Sequence, residues 1–79
     1  MRVGHGRENE QLRHQQDLEH ARHECEHCRA QAAAGLRAAA DEAAIGNLSV
    51  ALKRATAAMG DLETAQRACE HWRSLNPLD

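Results

Sequence analysis

The chain has 79 residues, a formal net charge of −2 at pH 7 and a single aromatic residue, Trp72. This length allows one small domain, and so small a charge provides no basic field to attract nucleic acid. No stretch approaches the roughly 18 apolar residues of a membrane span, and the polar N-terminus lacks the apolar core of a signal peptide. The sequence therefore predicts no membrane or nucleic-acid partner and a cytoplasmic location. The three cysteines fit that compartment, because an odd number cannot form a closed disulfide set.

The N-terminal half predicts a flexible tail, residues 1–6, followed by one long coiled-coil-like helix, residues 7–45. The helix segment contains no proline and one glycine, Gly35, near which a break into two helices is the alternative. Its small and apolar residues alternate at spacings of three and four, which is typical of a heptad seam. The seam consists of Leu18, Ala21, Cys25, Cys28, Ala32, Gly35 and Ala39.

The C-terminal segment, residues 46–79, predicts two more helices. Gly46 and Asn47 form a helix stop followed by an N-cap, and the next helix runs from Leu48 to about Met59. A stripe of Leu48, Leu52, Ala55 and Met59 marks its apolar side. Gly60 and Asp61 repeat the stop and cap, and a third helix follows to Leu75, where Asn76 and Pro77 end it. No strand pattern occurs, so the predicted fold is all-α, with the long helix packed on an antiparallel helical hairpin.

This segment resembles a single tetratricopeptide (TPR) repeat. The matching positions are Leu52, the turn Gly60-Asp61-Leu62, Ala65, Cys69 and the closing Pro77. Lys53, Thr56 and Trp72 depart from the pattern, because the family usually has a small residue, an aromatic residue and an alanine there. The resemblance implies a hairpin that cannot bury its apolar face alone and must stack against another element or another chain.

Residues 20–28, HARHECEHC, carry the residues with the most potential for chemistry. Within them, HECEH matches H-E-x-x-H, a pattern that resembles the zincin metallopeptidases and would place two zinc ligands and a general base on one helix. Glu26 occupies a position that zincins usually keep uncharged, and no third ligand follows His27 at the family spacing. The sequence therefore predicts no enzyme.

A non-catalytic zinc site is the alternative function for this cluster. Its candidate ligands are His20, His23, His27, Cys25 and Cys28. One straight helix rarely presents a complete tetrahedral set, so Cys69, His71 or a second subunit would have to complete the site. The simpler interpretation takes the cysteines as small seam residues and the histidines as a solvated face, with no cofactor.

Composition also predicts how the chain functions. It contains 16 alanines and few large aliphatic residues, so it forms helices readily and a monomeric core poorly. We therefore expect a small helical protein–protein interaction module, of the adaptor, co-chaperone or inhibitor type, that self-associates or docks on a larger protein. The predicted interface residues are Leu18, Leu36, Leu52, Leu62, Trp72 and Leu75.

Overall fold

A computed structural model describes the backbone of residues 2–75 and the side chains of residues 10–75. Within that range the chain forms two helices, α1 (Arg2–Ala44) and α2 (Leu48–Ser74), which pack side by side as an antiparallel hairpin. The all-α prediction is confirmed. Neither helix in the described range combines the length and apolar character needed to cross a membrane.

The long helix predicted for residues 7–45 is continuous through Gly35. It begins at Arg2, so residues 2–6, predicted to be a tail, belong to α1, while Met1 lies outside the described residues. Continuity at Gly35 follows from its position in the heptad seam. A Cβ atom at Gly35 would lie only 3.2 Å from the Cβ atom of Ala58 on α2, so the absent side chain lets the two helices approach closely.

The turn between the helices follows the predicted stop signal. Gly46 adopts φ +83°, the left-handed conformation that glycine favours. The Gly46 amide donates to the Ala43 carbonyl at 3.0 Å and the Asn47 amide to the Glu42 carbonyl at 2.9 Å, the hydrogen-bond pair of a Schellman motif. Asn47 is the N-cap residue of α2, but its side chain does not cap the helix as predicted. The amide nitrogen Nδ2 donates instead to the Glu42 carboxylate at 2.9 Å.

The second predicted turn, at Gly60 and Asp61, is wrong because α2 runs through both residues without interruption. A glycine inside a helix costs about 1 kcal/mol relative to alanine, which continued packing against α1 can offset. The seam of α2 consists of alanines seven residues apart, at Ala51, Ala58 and Ala65, and passes straight through the predicted break. The hairpin therefore joins α1 to α2, and the described part of the C-terminal segment, residues 46–75, forms no hairpin of its own. The TPR resemblance stays a prediction about the sequence, and its closing Pro77 lies outside the described residues.

Among residues 10–75, the core of the hairpin consists only of small residues. The buried residues are Ala21, Cys25, Cys28, Ala32, Ala39, Ala51, Ala58 and Ala65, and those on α1 confirm the predicted heptad seam. Leu18 and Gly35, the other two predicted members, are half-buried. Because methyl groups bury little area, each layer of this core contributes less than a leucine layer would.

The two helices differ greatly in length. The hairpin measures 69 × 16 × 15 Å, and α1 has 43 residues against 27 in α2. Cys25 lies opposite Cys69 and Gly35 opposite Ala58, so the end of α2 at Ser74 reaches only about the level of Glu19. Residues 10–17 of α1 continue beyond it, and all their side chains are exposed.

Candidate interaction surface

Two shallow grooves follow the two sides of the contact between α1 and α2. The first is lined by Arg29 of α1 and by α2 residues that include Leu62, Gln66, Glu70 and Arg73. The second is lined by residues that include His20, Glu24 and Cys28 of α1 and Thr64, Arg67 and His71 of α2. We call these the Arg29 side and the His20 side of the hairpin. A residue that lies seven or fourteen positions from a lining residue on the same helix is on the same side, because seven residues make close to two helical turns.

Five large apolar residues next to the turn lie on the Arg29 side. Leu36 and Ala43 follow Arg29 at seven and fourteen residues, and Met59 and Leu52 precede Gln66 at the same spacings. On α2, Ala55 and Leu48 precede Leu62 by seven and fourteen residues. On α1, Ala33 lines a surface depression together with Arg29, and Ala40 follows Ala33 at seven residues. Together they form one surface beside the turn, which we call the turn-proximal apolar face. It comprises Ala33, Leu36, Ala40 and Ala43 of α1 and Leu48, Leu52, Ala55, Met59 and Leu62 of α2.

This face is exposed in the hairpin. Leu48, Leu52 and Met59 are 67%, 69% and 63% exposed, and Leu36 and Leu62 are 43% and 44% exposed. The stripe that the sequence predicted on the second helix is therefore real, but it points to solvent while Ala51 and Ala58 take the buried positions. The hairpin buries its small residues and presents its large ones, the reverse of an ordinary monomeric core.

Beyond the apolar face, the Arg29 side becomes charged. In heptad register with Arg29 and its neighbour Glu26, α1 presents Glu19, Arg22, Glu26 and Arg29. In register with Glu70 and Arg73, α2 presents Glu63, Gln66, Glu70 and Arg73. The Gln66 amide nitrogen Nε2 donates to the Glu70 carboxylate at 3.2 Å. Among the described residues, the side-chain hydrogen bonds join residues three to five apart, so these charged groups form none between the helices.

The cysteines are arranged differently from the sequence prediction. Cys25 and Cys69 form a disulfide between α1 and α2, with their Cα atoms 4.6 Å apart, and Cys28 remains a buried free thiol. Three cysteines cannot all be paired within one chain, as predicted from the sequence, but one disulfide between two of them remains possible. Residue spacing within either helix does not indicate this pairing, because it depends on the register of the two helices. Disulfides persist mainly in oxidising compartments, so the bridge does not favour the predicted cytoplasmic location.

The five predicted metal ligands do not converge. Cys25 is unavailable as a thiolate ligand because its sulfur is bonded to Cys69. His23 and His27 lie on one face, as the H-E-x-x-H spacing predicted, with their rings stacked at a centroid distance of 6.5 Å. His20 and Cys28 line the groove on the His20 side together with His71. Within the described part of the chain, no group of three His, Cys, Asp or Glu side chains could hold a metal ion.

The six predicted interface residues divide into two groups. Leu36, Leu52 and Leu62 lie on the turn-proximal apolar face. The other three, Leu18, Trp72 and Leu75, are half-buried near the open end of the hairpin. Sequence reasoning missed Leu48 and Met59 as surface members of the face, and the seven-residue spacing of the α2 alanines was the signal that could have identified them.

Comparison with known proteins identifies no relative: no family model, curated protein or solved structure matches this chain.

Proposed function

We propose that this chain is a small, non-enzymatic protein–protein interaction module that acts through its turn-proximal apolar face, by self-association or by docking on a larger protein. One observation supports this most directly: the hairpin encloses alanines and cysteines and leaves five large apolar residues exposed on one side, while Leu12 and Ile45 are exposed outside this face. Contiguous apolar surface of this kind is typical of interaction sites in helical proteins.

The energetics favour an occupant for this face. Full burial of a leucine or methionine side chain contributes about 1.5–3 kcal/mol, and the five large residues of the face retain 43–69% of their exposure in the hairpin. Covering them would release several kcal/mol, enough to offset part of the cost of association. The isolated hairpin lacks that contribution because its own core consists of alanine methyl groups, the Cys25–Cys69 disulfide and the Cys28 thiol.

The shape of the face indicates the kind of partner. Its residues follow α2 at spacings of three and four and continue onto α1, so the surface is a shallow strip that runs parallel to both helices. Such a strip suits an amphipathic helix or a second helical hairpin, which contributes its own leucines at the same spacing. The charged half of the Arg29 side would orient that partner by electrostatic complementarity.

Site-specific photo-crosslinking tests this proposal. A benzoylphenylalanine probe replaces Leu52 on the apolar face, and a matched control places it at Ala57. The control position is exposed on the His20 side, because Ala57 precedes Thr64 by seven residues. In cells that express the chain, we expect irradiation to link the Leu52 probe to protein and to leave the Ala57 probe unlinked. If the Leu52 probe forms no protein adduct, or if both probes link equally, the proposed function is wrong.

Zinc binding through residues 20–28 stays a prediction. No contact in the described residues favours it over the interaction module, and the Cys25–Cys69 bridge removes one of its candidate ligands.

A further inference from the structure

We propose that the occupant of the apolar face is a second copy of this chain, and that the two hairpins form a four-helix bundle with their turns at the same end. The dyad axis of this dimer runs parallel to the helices. Each α1 then faces the α2 of the other copy, antiparallel and at the same level as in the hairpin itself. This inference rests on the proposed function and goes further by naming the partner and its orientation.

The division of the Arg29 side into halves selects this orientation. Apolar residues lie next to the turn on both helices, and charged residues lie toward the open end on both. An axis parallel to the helices superposes apolar on apolar and charged on charged over the whole length. A perpendicular axis reverses one hairpin. Overlap over the full length would then bury the exposed Leu52 and Met59 against charged groups of the other copy, which desolvation makes unfavourable, and overlap of the apolar faces alone would leave both charged halves without a partner.

The sizes of the apolar side chains also fit an α1-to-α2 contact between copies. On α1 the face is mostly small, with Ala33 and Ala40 on either side of Leu36. On α2 it is mostly large, with Leu52 and Met59 at its centre. Pairing α2 with α2 would crowd large side chains together, and pairing α1 with α1 would leave gaps between methyl groups. Facing α1 against the second copy's α2 combines large with small, as close packing requires.

Charges at the open half complete the match. In the hairpin, Cys25 of α1 lies level with Cys69 of α2. Because the second copy keeps the same levels, Arg29 of one copy and Glu63 of the other differ in level by about two residues, roughly 3 Å along the helix axis. By the same register Arg22 lies near Glu70 of the second copy. Arg22 and Arg29 of α1 therefore each lie near a glutamate of the second copy. Because the dyad repeats every contact, one dimer contains each pair twice.

Sedimentation equilibrium gives the first test. At micromolar to submillimolar concentration we expect the oxidised chain to form a species of twice its 8.7 kDa mass. Leu52→Lys should weaken this dimer at least tenfold, because it places a charge in the apolar contact, whereas Ala57→Lys on the His20 side should leave it unchanged. A wild-type chain that stays monomeric throughout overturns the inference, as does a dimer that Ala57→Lys disrupts and Leu52→Lys does not.

Charge reversal tests the orientation. Arg29→Glu and Glu63→Arg should each weaken their own homodimer about tenfold, because two attractive pairs become repulsive. When the two variants are mixed, both pairs become attractive again, so heterodimers should exceed the statistical proportion by native mass spectrometry. An ion pair within one chain cannot produce this preference. A statistical mixture overturns the proposed arrangement, and unchanged helicity by circular dichroism confirms that the variants are folded.

The tests of this inference and of the proposed function can fail separately. If the Leu52 probe links only to other proteins and the purified chain is monomeric, the interaction module stands and the second copy is excluded. If that probe forms no protein adduct at all, both fail.

Discussion

Removing the bridge between Cys25 and Cys69 should destabilise the hairpin by about 4 kcal/mol. The bond joins residues 44 apart, and the chain-entropy relation for a loop of that length gives roughly 13 cal/mol/K, or about 4 kcal/mol near room temperature. A chain of this length has a total unfolding free energy of only about 4–12 kcal/mol. Its alanine core places it toward the lower end of that range, so the bridge supplies a large part of its stability.

The assay is urea unfolding followed by far-ultraviolet circular dichroism, with and without reductant, at concentrations where the chain is monomeric. The double variant Cys25→Ala, Cys69→Ala should unfold at the same low midpoint in both conditions, and the wild type should fall to that midpoint only when reduced. Cys28→Ala is the matched control, because Cys28 is buried in the same seam but lies outside the bridge. Its response to reductant should equal that of the wild type. A wild-type midpoint that reductant leaves unchanged would refute the reasoning.

Three further predictions concern single residues and use the same unfolding assay on the oxidised monomer. Ala58→Leu should lower the free energy of unfolding by about 1–3 kcal/mol, because Ala58 is 0% exposed and contacts α1 at Gly35. Ala57→Leu, on the surface, should change it by less than about 0.5 kcal/mol. Gly60→Ala should raise the free energy of unfolding by up to about 1 kcal/mol, since the added methyl group meets nothing within 4 Å. Gly46→Ala should lower the free energy of unfolding by about 1–2 kcal/mol, because φ at Gly46 is +83°. Leu52→Ala should leave the free energy of unfolding within about 0.5 kcal/mol of wild type while weakening association, because Leu52 is 69% exposed in the monomer. Equal costs for Ala58→Leu and Ala57→Leu, a loss at Gly60, or a large loss at Leu52 would each contradict the described packing.

The α1 seam was predictable because small residues at spacings of three and four have one physical explanation, a helix that packs along that line. The stop at Gly46 was also readable, since few residues other than glycine adopt a positive φ. The error at Gly60 came from treating a local stop signal as decisive. The alanines Ala51, Ala58 and Ala65 carry a longer-range signal, and packing along them outweighs the local cost of one glycine.

The candidate surface was only partly predictable for a related reason. Helical spacing predicted the stripe that contains Leu48, Leu52 and Met59, and Leu52 was predicted at an interface, but spacing alone does not determine whether such a stripe is buried within the hairpin. The close approach at Gly35 and Ala58 admits only small side chains at the contact and turns the large ones outward. Likewise the Cys25–Cys69 bridge depends on the pairing of two distant segments, which spacing within either helix does not determine.

The proposed function requires the turn-proximal apolar face to be covered when the protein is assembled, and oxidation of Met59 measures that coverage most directly. Met59 is 63% exposed in the isolated hairpin, so hydrogen peroxide should oxidise it quickly in the dilute purified chain. In undiluted extract of cells that express the chain, we predict markedly slower oxidation of Met59, and restoration of the fast rate by Leu52→Lys. Equal rates in the two conditions would show that nothing covers the face and would contradict the account.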